Sequence, residues 1–230
     1  MNDFMRYFII YIVLFVTLLG CKKDPATILD LGYDYYPIQE GHWVIYDVDS
    51  IVYNDFTNSV DTFQYQIKEL IVSTYKDAEG RNTQRIERYK RINSGPWIIK
   101  DVWASNLTST TAERVEENTR YVKLVFPAKI GVSWDGNVAN VISEWEYLYT
   151  TYDEAASVGL LSFDSVLTVL QRDQDLGALE KDYFLEMYAK NIGLIYKEAI
   201  HLEQDFVDPT WSNPERGYRY KMTVMSYGTQ

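Results

Sequence analysis

From residue 60 the chain alternates, with Phe63, Tyr65 and Ile67 at every second position and Thr62, Gln64, Gln66 and Lys68 between and beside them. Period two sends successive side chains to opposite faces, so residues 60–75 are predicted as a half-buried β-strand. Lys76-Asp77-Ala78-Glu79-Gly80-Arg81 follows as a hairpin loop. Further strands are predicted over residues 97–102, 120–126, 163–170, 182–189, 194–202 and 217–227, all rich in Val, Ile, Tyr, Phe and Trp. Asn191-Ile192-Gly193 reads as a short turn in which Gly193 supplies a positive φ. Residues 85–92 are ambiguous, because Ile86, Tyr89 and Ile92 are three apart, and residues 153–161 read as a short helix. Sequential strands with short connections predict a mainly β fold. It is a single antiparallel sheet domain, curved into a partial barrel or paired as a sandwich, with little helix.

The first twenty residues belong to a different pattern. Tyr7 opens a run without charge that ends at Leu19 (YFIIYIVLFVTLL). It falls short of the about 20 residues a spanning helix needs and suits the core of a secretory signal. It leads into Leu18-Leu19-Gly20-Cys21, which resembles the lipobox of bacterial lipoproteins. That resemblance implies cleavage between Gly20 and Cys21 and acylation of the Cys21 thiol, anchoring the chain in membrane lipid. Two or three acyl chains give stable attachment where one is marginal. The other reading is an uncleaved membrane helix with Cys21 as part of its apolar run. The expected organisation is a signal peptide over residues 1–20, a lipidated tether over 21–32 and one β domain over 33–230.

Composition narrows the classes. A chain of 230 residues with 47% hydrophobic and 15% aromatic content buries a core and is not disordered. One Cys excludes a disulfide scaffold and any multi-cysteine metal site. A net charge of -11 argues against nucleic acid as a partner. The charge is unevenly spread. Residues 81–100 hold Arg81, Arg85, Arg88, Lys90, Arg91 and Lys100 against Glu87 alone, whereas residues 135–190 hold 11 acids and three bases. The basic strand either pairs with acids across the sheet or faces lipid headgroups or a polyanion.

Two segments echo each other: Tyr36-Pro37-Ile38-Gln39-Glu40-Gly41-His42-Trp43 and Phe126-Pro127-Ala128-Lys129-Ile130-Gly131-Val132-Ser133-Trp134. They are either one duplicated unit or two similar turns. With Tyr188-Ala189-Lys190-Asn191-Ile192-Gly193-Leu194-Ile195-Tyr196, these segments resemble uncharacterised lipoproteins of the Bacteroidota. That resemblance implies a cell-envelope location with an outer-membrane anchor, and no activity. Acidic residues after the Cys mark surface export in such proteins, and here only Asp24 follows Lys22-Lys23, so neither membrane face is selected.

Candidate chemistry is sparse. No G-x-S-x-G, H-E-x-x-H, P-loop or G-x-G-x-x-G pattern occurs, so the chain reads as non-enzymatic, with no cofactor and no metal. His42 reads as a turn residue and His201 as a strand residue facing water or a neighbour. Asp47-Val48-Asp49 and Asp173-Gln174-Asp175 could offer oxygens to Ca²⁺, yet neither continues into a calcium loop. Asp49-Ser50-Ile51 and Asp164-Ser165-Val166 resemble the short O-glycosylation site of exported Bacteroidota proteins, so Ser50 and Ser165 would need to be exposed. Three roles stay open: a binding or structural envelope protein, a carrier of an apolar ligand, and a glycan binder. A large cavity lined by Phe and Leu would favour the carrier, a row of exposed Trp or Tyr beside paired carboxylates the glycan reading, and a closed core without a pocket the structural role.

Overall fold

Period-two burial runs through most of the chain because each strand turns one face inward and one to water. The computed structural model describes residues 29–230. The signal, Gly20, Cys21 and most of the tether lie outside the described residues. Strands β1 (His42–Asn54), β2 (Ser59–Lys76), β3 (Asn82–Arg91), β4 (Ile98–Leu107), β5 (Thr111–Glu116) and β6 (Thr119–Val125) form one meander. A second comprises β7 (Ser133–Asp135), β8 (Glu146–Val158), β9 (Leu161–Asp175), β10 (Glu180–Ala189), β11 (Gly193–Glu203) and β12 (Arg216–Thr229). Among the described residues they make one twelve-stranded sheet, in the order β6-β5-β4-β3-β2-β1-β12-β11-β10-β9-β8-β7, antiparallel throughout. The full β1–β12 ladder, from His42↔Thr229 to Tyr53↔Gly217, joins the meanders.

The sheet curls until its edges β6 and β7 meet, so the fold is mainly β and nearly closed as a barrel rather than split into a sandwich. Closure at this seam uses one backbone bond, Val122 N–H to Gly136 O at 2.9 Å. Side chains do the rest. Trp134 Nε1 donates to Val122 O, and the Tyr149 hydroxyl donates to Val125 O and accepts from Val125 N–H. An edge strand with bare N–H and C=O groups invites foreign pairing, and these side chains occupy them.

Residues 85–91 resolve as strand within β3, with Ile92 just past its end, and the helix expected over residues 153–161 is not formed. That stretch is the end of β8, its hairpin turn and the start of β9. Asp153 sits at φ 58 where the β8–β9 register slips, a bulge that absorbs the irregular pattern. Partner strands, not local propensity, decide its state.

The chain enters and leaves at the same end of the barrel. There a short 3-10 turn, Tyr33–Tyr35, is held by Asn191 N–H to Asp34 O at 2.7 Å and Ala128 N–H to Leu31 O at 3.1 Å. It presses Tyr35 and Tyr36 into the core beside Phe126, Ala128 and Ile192, closing that end. Val44, Tyr46 and Val48 on β1, Ile67 on β2 and Ile195 on β11 continue the buried apolar layer. Each such side chain contributes roughly 1.5–3 kcal/mol on burial.

The sequence echo is a structural repeat. Gly41 and Gly131 have φ 83 and 82. Their amides donate to Ile71 O at 2.8 Å and Tyr149 O at 2.9 Å, each on the second strand of its meander. The turns before them close alike, His42 N–H to Gln39 O and Val132 N–H to Lys129 O, both at 3.2 Å. Each copy of this turn opens a six-stranded meander.

Candidate functional site

At the end opposite the chain entry the barrel is open. Its upper half encloses a cavity of about 450 Å³ among β1, β2, β3, β4, β5, β10, β11 and β12. The walls hold Tyr65, Trp103, Tyr218 and Tyr220, six apolar residues (Val52, Ile67, Phe184, Leu194, Ala199 and Met222) and eight charged groups. These are four acids (Glu69, Glu116, Glu117, Glu186) and four bases (Arg88, Lys100, Arg114, Lys197), so the lining is formally neutral.

Six of these charges fall into two groups, while Glu117 and Lys100 are exposed. Glu69 accepts from Arg88 Nε at 2.9 Å and from Arg114 Nη1 at 3.1 Å, one oxygen each. Arg88 also reaches Asp101 at 2.9 Å, and its guanidinium lies 3.5 Å from the centroid of the Trp103 ring. Across the cavity, Glu186 accepts from Lys123 at 2.6 Å and Lys197 at 3.3 Å, and from the Tyr188 hydroxyl at 2.6 Å. Glu116 stands 3.6 Å from Lys123 and 3.9 Å from Lys197. Lys123 and Glu186 are 4% and 1% exposed, so this pair survives only because each charge has its partner.

Burial alone would push the Glu186 carboxyl up, but Lys123 and Lys197 outweigh it and bring it down to about 2. Burial likewise opposes protonated Lys123, and Glu186 and Glu116 more than restore it, raising its pKa. Both directions describe a pair held charged. Among the described residues two buried side-chain nitrogens have no partner, Gln171 Nε2 and, beside the cavity, Arg114 Nε. An N–H left so costs about 1–3 kcal/mol.

The residues singled out in the sequence fall mostly elsewhere. Cys21 and Gly20 lie outside the described residues. His42 is not a turn residue: it opens β1, is buried, and its Nε2 meets Ile192 O at 3.0 Å. His201 lies on β11, where Nδ1 meets Asp182 at 2.7 Å and Nε2 meets Glu203 at 3.1 Å. Glu180, Asp182 and His201 bring one ligand atom each within 4.8 Å of one another. Asp182 is already shared with Arg172 at 3.1 Å, so the cluster serves charge pairing. Asp47 and Asp49 accept from Gln66 and Gln64 side chains, and Asp175 from Ala178 N–H and Trp211 Nε1. Ser50 lines the cavity, and Ser165 is held by the Tyr35 hydroxyl at 2.7 Å and by Asp153, so neither is a free surface serine. The basic stretch pairs with acids of its own side of the sheet (Glu69, Asp77, Asp101, Glu113), not with the acidic stretch of residues 135–190.

No family model and no curated protein matches the chain. Among solved structures it is similar to a "putative exported protein with YmcC-like fold" from Bacteroides fragilis, at 11% identity and a TM-score of 0.46, over 84% of this chain and 98% of that one. It is also similar to a "putative lipoprotein" from Parabacteroides distasonis, at 10% identity and a TM-score of 0.41, over the same shares. Similarity this distant assigns neither family nor function.

The His201 cluster sets a pH dependence. Burial lowers the His201 pKa, but hydrogen bonds and charge from Asp182 and Glu203 outweigh it, leaving the value raised above its ordinary 6.5. A raised folded-state pKa gives stability that is fully present below about 6.5 and lost as pH rises through the folded value. The melting temperature should therefore fall across that step, and His201→Gln should remove the step. A wild-type profile flat between pH 6 and 8 would show the imidazole is not held protonated.

Proposed function

We propose that this chain is a lipid-anchored protein of the cell envelope, held in the outer membrane through Cys21, that acts by binding rather than catalysis. Its ligand is a neutral polyhydroxylated molecule of the saccharide class, received in the open half of the barrel. The observation that supports this most is the lining of the cavity: paired charges and aromatic rings in a formally neutral wall.

The lining disfavours the alternatives. An apolar ligand would strip water from Glu116, Glu117 and Lys197 and return no hydrogen bonds. A charged ligand would have to break an existing pair and leave a buried charge uncompensated. A sugar does neither. Its hydroxyls donate to carboxylate lone pairs and accept from cationic N–H groups, while its C–H faces pack on Trp103, Tyr65 and Tyr220. The wall's apolar residues, Val52, Ile67, Phe184, Leu194, Ala199 and Met222, are interleaved with charged groups, which weighs against an apolar carrier.

Two measurements test this. Cys21→Ala should abolish acylation and release the protein from membranes; unchanged retention would remove the anchor from the proposal. Screening the purified protein on an array of mono- and oligosaccharides should find a binder, and Trp103→Ala should weaken it roughly three- to tenfold, the equivalent of about 0.5–1.5 kcal/mol. An array without a hit, or a hit indifferent to Trp103, would count against the saccharide.

A further inference from the structure

Two hairpins at the open end carry complementary surfaces. The β3–β4 hairpin forms an apolar groove of about 330 Å³ from Ile92, Pro96, Ile98 and Ile99, bordered by Lys90, Arg91 and Lys100. One acid, Asp101, lies beside Lys100, and Arg91 meets the neutral Gln66 and Trp97, so the border is net positive. The β9–β10 hairpin exposes Leu176 and Leu179, with Asp173, Asp175 and Glu180 around them against Lys181 alone. In the ring, β2, β1, β12 and β11 separate the two hairpins on one side and β5, β6, β7 and β8 on the other. They therefore sit opposite each other, at the same end of the barrel.

We infer that the groove receives the β9–β10 loop of a second copy of this chain. Leu176 or Leu179 enters the apolar groove while its flanking acids face Lys90, Arg91 and Lys100. Patches on opposite sides cannot satisfy each other within one molecule. Between molecules they dock by translation, a heterologous contact that does not close on itself and extends into a row. Translation also keeps every copy's chain entry at the same end, as a shared membrane anchor requires. The groove is small for a stable interface, so the contact is weak in dilute solution and favoured where copies are confined to one surface.

Disulfide trapping in the native membrane tests this with the full-length chain. Ile98 and Leu176 are 64% and 48% exposed, so cysteines there leave the core intact. Cells co-expressing Ile98→Cys and Leu176→Cys chains should give a cross-linked dimer, at several times the yield of either chain alone or of the parent chain with Cys21 only. Pairing Ile98→Cys with Leu160→Cys, on the β8–β9 turn at the closed end, should stay at background. A chain carrying both Ile98→Cys and Leu176→Cys should give a ladder of multimers. Absence of the mixed dimer, or equal trapping at Leu160, would overturn the docking; a ladder that stops at two would overturn the row. Because the readout uses no saccharide, its failure is separate from failure of the cavity reading.

Discussion

Lys123→Met should destabilise the barrel by about 3–5 kcal/mol, the range for removing one partner of a buried ion pair. The expected loss does not come from deleting an attraction alone. Lys123 and Glu186 are both almost inaccessible to water, and the lysine bridges β6 to β10 across the barrel interior. Once the ammonium is gone, the Glu186 carboxylate keeps only Lys197 at 3.3 Å and the Tyr188 hydroxyl, and its negative charge loses its closest compensation. A carboxylate held down to about 2 contributes stability that is present above its ordinary 4.5 and is lost as pH falls through the folded value. In the variant that acid loss should begin at higher pH, because the folded-state value moves up. Adding Glu186→Gln should recover part of the stability by removing the stranded charge. Urea unfolding of the three proteins at two pH values measures all of this. If the single variant loses no more than a surface substitution, within about 0.5 kcal/mol, the pair is not buried in solution.

The strands were legible because half-buried sheet writes its period directly into the sequence. Residues 60–75 fall within β2, and residues 194–202 within β11, since one face meets the core and the other water. Three kinds of feature did not show. β7 is three residues long and leaves no period to read. Residues 153–161 hold Asp, Glu, Ala and Ala in a row, a helix-like composition that pairing with β9 overrides. The charged cavity was invisible for a different reason. Glu69 is 19 residues from Arg88 and 45 from Arg114, and Lys123 is 63 from Glu186. An inward-facing charge looks like an outward-facing one until the ring closes and sets its partner opposite. The repeated Pro–Gly turn was the exception among long-range features, because the positive φ at Gly41 and Gly131 demands glycine in both copies.

The same repeat explains where the barrel should open first. Each meander begins with the Gly41- or Gly131-type turn, so β1 and β7 hold equivalent places, as do β12 and β6. Yet β1–β12 is a twelve-pair ladder, while β6 and β7 share one backbone bond and a set of side-chain substitutes. Tyr149 makes two of these contacts: its ring is buried, and its hydroxyl serves both the N–H and the C=O of Val125. Tyr149→Phe keeps the ring against Trp134, a centroid separation of 4.6 Å, and removes only the hydroxyl. It should cost about 1–3 kcal/mol for each backbone group left unpaired. The loss should also be local. Amide exchange at Val122 and Val125 should accelerate by at least tenfold, while the β1–β12 amides keep their protection, because the strong junction does not depend on this side chain. Uniform acceleration along every strand would mean the seam and the ladder open together, and that the side-chain closure is no weaker than the ladder it replaces.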